Sequence, residues 1–284
     1  MNVSASIARR RPTPAWRADL GANLFLIIIA FFTFLPFYFM LITSVKTTSQ
    51  MRHFFWSPTL PFYFKNYSVA FWQLQKYFIN TVIVAGTAVP GILLLSSLSA
   101  FAFARYAFPG RTVLFYAVIS LLMVPSVLTL VPAFVWIKQL GLLNTYGALI
   151  FPYIAGGQVF AIYLLRSFFA TIPNDLFDSA YVDGANIFQV YWNIALPLTK
   201  PMLSVVAILN TLHIWNDYIW PLVTLQDDAM RTITIGLRYF QGQYHTNYGP
   251  LFAGYILASL PLLILFLIAM RPFVSGLTSG AIKM

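Results

Sequence analysis

Residues 20–45 read LGANLFLIIIAFFTFLPFYFMLITSV, a stretch between Asp19 and Lys46 without one charged side chain. Coiled as an α-helix at about 1.5 Å rise per residue, it is long enough to cross a bilayer, whose roughly 30 Å hydrocarbon layer needs about 20 apolar residues. It is too long for the apolar core of a signal peptide, and no small-residue cleavage site sits at its end. Four more charge-free runs follow: Tyr77–Ala104, Thr112–Ile137, Gln139–Leu165 and Thr246–Met270. A sixth, Pro201–Asn216, is shorter, but only Asp217 separates it from the apolar Tyr218–Gln226.

These runs predict an all-α integral membrane protein with six membrane-spanning helices, at about 22–44, 78–104, 112–137, 142–165, 201–221 and 250–270. On that division residues 1–21 are an N-terminal tail, 22–274 one transmembrane domain that includes a loop at 166–200, and 275–284 a C-terminal tail. Composition agrees. Hydrophobic residues make up 60% of the 284 and charged residues 8%, with a mean hydropathy of +0.77; soluble domains carry about 25% charged residues. Helices buried in a soluble enzyme would keep a polar stripe, which these runs lack.

The net charge of +10 would point to nucleic acid in a soluble protein, but here the cations flank the apolar runs and anchor helix ends, so no nucleic-acid partner is expected. Arg9, Arg10, Arg11 and Arg17 precede the first run with only Asp19 against them, which places the N-terminus in the cytoplasm. Six spans return the C-terminus to the same side, and the inner segments then hold 10 of the 17 Lys and Arg. Prolines inside the runs (Pro36, Pro90, Pro125, Pro132, Pro152, Pro261) each remove a backbone donor and predict bends. The small residues Ser96, Ser97, Ser99, Ala100, Ala102 and Ala104 allow a neighbouring helix to approach closely.

The inner loop 166–200 carries the most information. Ile172-Pro173-Asn174-Asp175 reads as a helix start, with proline and an acid in the first turn. Leu176, Phe177, Ala180 and Tyr181 supply its apolar positions, and Gly184 ends it, because glycine accepts the left-handed conformation. A second amphipathic stretch, Ile187 to Leu196, leads to Pro197 and Pro201. The product is a helix, a glycine corner and another helix lying along the cytoplasmic surface.

Asp178-Ser179-Ala180-Tyr181-Val182-Asp183-Gly184-Ala185, followed by Ile194-Ala195-Leu196-Pro197, resembles the Glu-Ala-Ala loop of binding-protein-dependent ABC importer permeases. Trp215 to Leu222 and Gly276 to Lys283 are similar to the carbohydrate branch, specifically the maltose-type second permease with six spans. The resemblance covers nearly the whole chain and implies the type I ABC importer permease fold. It implies a prokaryotic cytoplasmic membrane, a second permease, a dimer of ATP-binding subunits holding ATP and Mg, an extracytoplasmic solute-binding protein, and a sugar, oligosaccharide or polyol as cargo. In that family the loop docks into the ATP-binding subunit, so Asp178, Ser179, Ala180, Asp183, Gly184, Ala185 and Pro197 become the coupling residues. Asp178 stands where the family usually has Glu and Ser179 where it has the first Ala. The related permease uses the loop matching Val223–Tyr248 to meet the binding protein, which makes Asp227, Asp228 and Arg231 candidate contacts. Its C-terminal ending reaches into the ATPase interface, which gives that role to Gly276, Ser279, Gly280 and Lys283.

The chain has no phosphate-cradling Gly-x-x-x-x-Gly-Lys-[Ser/Thr] and no cysteine. Its three histidines, His53, His213 and His245, are not at ligand spacing, so neither an enzyme nor a bound metal or cofactor is expected. The single acid within the runs is Asp217, a poor basis for an ion-coupled carrier. A passive channel or an ion-coupled transporter is the alternative to an ATP-driven importer. For the solute path Asn210, His213, Asn216 and Tyr218 offer hydrogen-bonding and stacking groups, with Thr211 and Trp215 beside them. Asn210 shares a helix face with His213, and His213 with Asn216. Such groups serve equally well as bonds between helices.

Overall fold

The computed structural model describes residues 15–242 and 246–281, with side chains over 20–242 and 246–270. Among the described residues there is no strand; Gln241 and Thr246 make one isolated antiparallel bridge. The first helix, α1, is Ala15–Ser44, and the short α2 is Thr48–His53. Thr47 caps α2 in a capping box with Gln50. Lys46, buried between α1 and α2, donates through Nζ to the carbonyls of Phe54 (2.7 Å) and Phe55 (3.0 Å) at the far end of α2. Burial holds its amine below the ordinary lysine pKa.

The longest helix, α3, is Lys65–Arg105; α4 is Arg111–Ser120, α5 Ser126–Gln139 and α6 Gly147–Phe169. The inner loop folds as α7, Asp175–Val182, then α8, Ile187–Val190, a π-turn at Tyr191–Ala195, and α9, Leu196–Leu198. Lys200–Asn216 is α10 and Ile219–Thr224 is α11. The outer segment holds α12, Ile233–Gly236, before the last helix, α13, Tyr248–Ala281.

Four helices are long and apolar enough to cross a membrane, and two bent pairs bring the number to six if each pair is one span. The third expected span is one of those pairs. Its halves, Arg111–Met123 and Ser126–Gln139, meet at 101°. Val124 is extended there (ψ 113°), as a residue before proline prefers, and Pro125 donates no amide to continue the ladder. The other expected internal prolines, at 36, 90, 132, 152 and 261, lie in helices that run on without a break. The second bent pair joins Ile187–Leu198 to Lys200–Asn216 at 73°. The fifth helix does not reach residue 221 as the hydropathy predicts. It stops at Asn216, where Asp217 turns extended (ψ 130°).

Packing follows the small residues. α3 lies against α6, and Gly91 and Gly157 mark the closest approach. A Cβ on Gly157 would stand 2.6 Å from both Ile92 Cδ1 and Asn210 Oδ1. Ser96, Ser97 and Ala100 are buried on the same face of α3. We expect Gly157→Val to cost about 1–3 kcal/mol through overpacking, read as a lower melting temperature of the purified protein; an unchanged melting temperature would refute this three-helix contact. A second cluster joins the N-terminal half of α3 to α12, the turn after it and α13 through Leu74, Tyr77, Ile233, Leu237 and Leu251. The surface of α1 is exposed all round from residue 20 to 34, its C-terminal turns pack through Phe39 and Ile42, and its principal helical neighbour is α13. That is the pattern of a helix facing lipid.

Candidate functional site

The inner loop is built by local chemistry. α6 ends at Phe169, and Pro173 precedes α7, whose first turn carries Asp175 and Asp178 beside the positive end of the helix dipole. Phe177 and Ala180 are buried against the bundle, while Asp178, Ser179, Asp183 and Gly184 are exposed. Ala185 N–H donates to the Ala180 carbonyl (2.9 Å) and Gly184 N–H to the Tyr181 carbonyl (3.1 Å). This is a Schellman closure, which needs a left-handed residue, and Gly184 has φ +84°. Asn186 then caps α8, accepting from Gln189 N–H (3.0 Å) while the Gln189 side chain accepts from Asn186 N–H (2.8 Å).

The corner carries an apolar rim. Val182 is 87% exposed and Phe188 71%, with Leu176 and Ile187 beside them in sequence also exposed. Among the described residues the only ion pairs are Lys76–Asp228 and Arg231–Asp228, so Asp175, Asp178 and Asp183 are not neutralised by one. Exposed apolar side chains flanked by acids make a surface suited to a protein partner. Beneath it, Phe101 of α3 touches the rings of Phe169, Phe177 and Tyr191. The hydroxyls of Ser97 and Tyr191 lie 2.7 Å apart, and those of Tyr106 and Tyr181 3.1 Å. Burial also pushes the Tyr106 phenol well above its ordinary pKa. Pro197 is exposed on α9. After it, buried Thr199 bonds back to the Ala195 carbonyl at the bend into α10.

The four fifth-helix residues divide. Asn210 is buried, its Nδ2 donating to the Val206 carbonyl (2.9 Å) and its Oδ1 turned to Gly157. His213 stands edge-on to the Tyr153 ring, centroids 6.2 Å apart, and lines a cleft of about 750 Å³ between α5, α6 and the α10–α11 corner. Asn216 is exposed and bonds back to Leu212, and Tyr218 accepts from the Arg238 guanidinium. The cleft wall is mainly apolar and aromatic, with Trp136, Phe151 and Trp220, and its polar lining is Ser126, Thr129, His213, Tyr153 and Asp217, of which His213 and Asp217 both meet Tyr153. Asp217 is fully engaged. Its Oδ2 accepts from Tyr153 Oη (2.9 Å), and its Oδ1 accepts the first two amides of α11, from Ile219 (3.1 Å) and Trp220 (3.3 Å). Among the described residues no group of three His, Asp or Glu side chains is arranged to hold a metal.

At the opposite end of α3 from the 166–200 loop, Asp227 accepts from Ala229 N–H (3.0 Å), and Arg231 donates to the Gln226 carbonyl (3.2 Å). Asp228 is bonded to Lys76, to Tyr77 Oη (2.8 Å) and to Arg231 (3.4 Å). The bond from Lys76, followed by that from Tyr77, holds the Asp228 carboxyl below the usual carboxylate range. With the folded pKa depressed, this contribution is fully present above the unfolded value of 3.8 and is lost as pH falls through the lower folded value. Asn80 donates to the carbonyls of Ala229 (2.8 Å) and Arg231 (2.9 Å), so α3 grips the turn at several points.

Residues 92–278, about two thirds of the chain, match the family described as binding-protein-dependent transport system inner membrane component. The chain belongs to this family. The permease is 32% identical over 260 residues to the melibiose/raffinose/stachyose import permease protein MelC of Bacillus subtilis, across 90% of this chain and 94% of that one. It is 30% identical over 281 residues to the diacetylchitobiose uptake system permease protein NgcG of Streptomyces coelicolor, across 98% and 93%. Its structure matches that of a bacterial ABC transporter involved in the import of the acidic polysaccharide alginate, with a TM-score of 0.81 at 20% identity over 92% of this chain and 98% of that one. The fold is the type I permease fold of ABC importers, and the permease is a multi-pass inner-membrane transport component.

Several residues that shape the permease's site escaped the sequence reading. Asn186 with Gln189 was detectable as a capping pair three residues apart. The bond between Tyr153 and Asp217 carried no local signal, because the two are 64 positions apart; the capping role of Asp217 did, as an acid two and three residues before the amides it accepts from. At the C-terminus, α13 runs through Gly276, Ser279 and Gly280 to Ala281, past residue 274 where the C-terminal tail was expected to begin; extending a long helix adds one bond per residue fixed and needs no new nucleus. Lys283 lies outside the described residues, as does most of the expected N-terminal tail.

Proposed function

We propose that the permease imports a sugar, oligosaccharide or related polyol across a prokaryotic cytoplasmic membrane, with both termini inside, driven by ATP that separate subunits hydrolyse. The observation that carries this is the inner corner at Gly184: a Schellman-closed helix end with exposed Asp178, Asp183 and an 87% exposed Val182, anchored to the bundle by Phe177. A dimer of ATP-binding subunits, with ATP and Mg, docks there through Asp178, Ser179, Ala180, Asp183, Gly184 and Ala185, with Pro197 opening the turn back into the membrane. A second permease completes the pathway, and His213, at the aromatic and polar end of the cleft, faces the solute. Hydroxyls need polar partners, and sugar C–H faces pack on aromatic rings. The relatives, an import permease for melibiose, raffinose and stachyose and a diacetylchitobiose uptake permease, support the cargo class.

A solute-binding protein delivers cargo at the outer turn of Asp227, Asp228 and Arg231, and the end of α13 with Lys283 lies against the ATPase pair. An ion-coupled carrier needs an acid free to exchange its ion, and the Asp217 carboxylate is already bonded to Tyr153 and to two amides.

The test is to purify the permease with its co-expressed partners and screen saccharides, with their binding protein, for stimulated ATPase activity. Lysine- and acid-directed crosslinking of the same complex should join Asp178 or Asp183 to the ATPase, the 227–231 turn to the binding protein and Lys283 to the ATPase. The permease alone should hydrolyse no ATP. ATP hydrolysis by the single subunit, or a complex that transports without any ATPase, would overturn the reading.

A further inference from the structure

We propose that Arg105 is a positioning residue for coupling: it bolts the docking helix α7 to the inner end of α3, whose outer end holds the Asp228 turn, so that α3 carries movement between the two loops. The inference rests on the docking role proposed for α7.

The Arg105 guanidinium gathers three elements at one point. It donates to the side-chain oxygen of Asn174, just before α7, to the carbonyl of Phe169, the last residue of α6, and to that of Ile172 in the link between them. Its face lies 4.1 Å from the centre of the Phe177 ring, the buried anchor of α7. No carboxylate takes part. The cation is held by carbonyl oxygens at a helix C-terminus, where the dipole is negative, and by a ring face. A planar fork with fixed donor directions sets an orientation as well as a distance, which a lysine ammonium on a flexible stem does not.

The outer end of the same helix is fixed just as densely. Lys76 and Tyr77 hold Asp228, Asn80 holds two carbonyls, and Thr81 Oγ1 accepts from Ile233 N–H (2.9 Å). The backbone of the outer segment passes so near that a Cβ on Gly236 would stand 2.3 Å from the Tyr77 ring. Twenty-nine residues of continuous helix separate Lys76 from Arg105, about 44 Å at 1.5 Å per residue. α3 is therefore one physical element gripping both the surface proposed for the ATPase and the surface proposed for the binding protein. The direct chain link through 170–174 reaches only the inner one.

The experiment uses the complete complex in proteoliposomes and reads two ratios: binding-protein-stimulated over basal ATPase activity, and solute taken up per ATP hydrolysed. Arg105→Lys should lower both by about five-fold, within the range over which residues along a coupling route act. Asp228→Asn should lower them in the same sense. The double variant should be no worse than the poorer single one, since both changes break the same link. A purely structural Arg105 would lower yield and melting temperature and leave both ratios unchanged. Unchanged ratios, or losses that multiply in the double variant, overturn the proposal. If Arg105→Lys fails to assemble, Asn174→Ala decides, because it removes one of the three acceptors: a smaller fall in both ratios supports the link, and no fall overturns it. An unmodified permease that copurifies with no ATPase overturns the docking role instead.

Discussion

Gly184→Val is expected to remove most solute-stimulated ATPase activity and uptake while the permease still inserts into the membrane. Gly184 sits at φ +84°, and no heavy atom lies within 4 Å of where a Cβ would stand. The loss is therefore one of backbone conformation and not of collision. A non-glycine residue in the left-handed region costs roughly 1–2 kcal/mol, and more when β-branched, so the population holding the closed corner falls by about ten-fold or more. Leaving that region breaks the bonds from Gly184 N–H and Ala185 N–H. The exposed ends of α7 and α8 then no longer share one orientation toward the ATPase. Gly184→Ala should give an intermediate loss, because alanine pays the φ cost without the second branch. Asp178→Glu should be tolerated, since it restores the residue usual in the family. Reconstituted vesicles supply the measurement, and full coupling in Gly184→Val would remove the corner from the mechanism.

The second large effect is expected at Asp217, where the replacement decides the outcome. Asp217→Leu leaves the Tyr153 hydroxyl and the Ile219 and Trp220 amides without their acceptor. The Tyr153 side chain is buried, and an orphaned buried hydroxyl costs about 1–3 kcal/mol, while the more exposed amides lose a helix cap of about 1 kcal/mol. The corner between α10 and α11 should loosen, the yield of assembled complex should collapse, and uptake should fall with it. Asp217→Asn keeps an oxygen for the amides and should retain at least about half the uptake, as asparagine caps helices about as well as aspartate. An acid that binds a coupling proton or sodium ion admits no such exchange. Well-assembled Asp217→Asn protein without uptake would show that the carboxylate does more than hold the corner, and would revive the ion-coupled alternative.

The two sites differed in how far they were legible beforehand. The 166–200 loop is spelled in adjacent residues: Pro173 and Asp175 open a helix, and Gly184 closes it at the position where a positive φ is found. The long apolar helices were visible because lipid tolerates no charges along them. Breaks within those runs were not. Pro125 breaks its run, whereas Pro36, Pro90 and Pro152 sit in unbroken helices, so proline alone does not tell a broken helix from a continuous one. Counting charges also merged α10 with α11, because the backbone turns at Asp217 to satisfy two amides and not to expose a charge. Asn210 and His213 share a helix face by spacing, yet one is buried and the other lines the cleft. What separates them is Gly157 on another helix, whose missing side chain makes room for the asparagine. Asp228 likewise gave no sign that its partners lie about 150 positions earlier.

The pairing of α1 with α13 joins the first helix of the described residues to the last. The two are separated by the whole interval from Ser44 to Tyr248. At about 5–20 residues per second of synthesis, α1 waits on the order of 10–40 seconds before its partner exists. Through that interval Phe39 has Phe55 and Trp56 beside it, but the phenylalanines and isoleucines from 25 to 34 have lipid to cover them, and that surface, apolar on every side, lets α1 remain in the bilayer until α13 arrives.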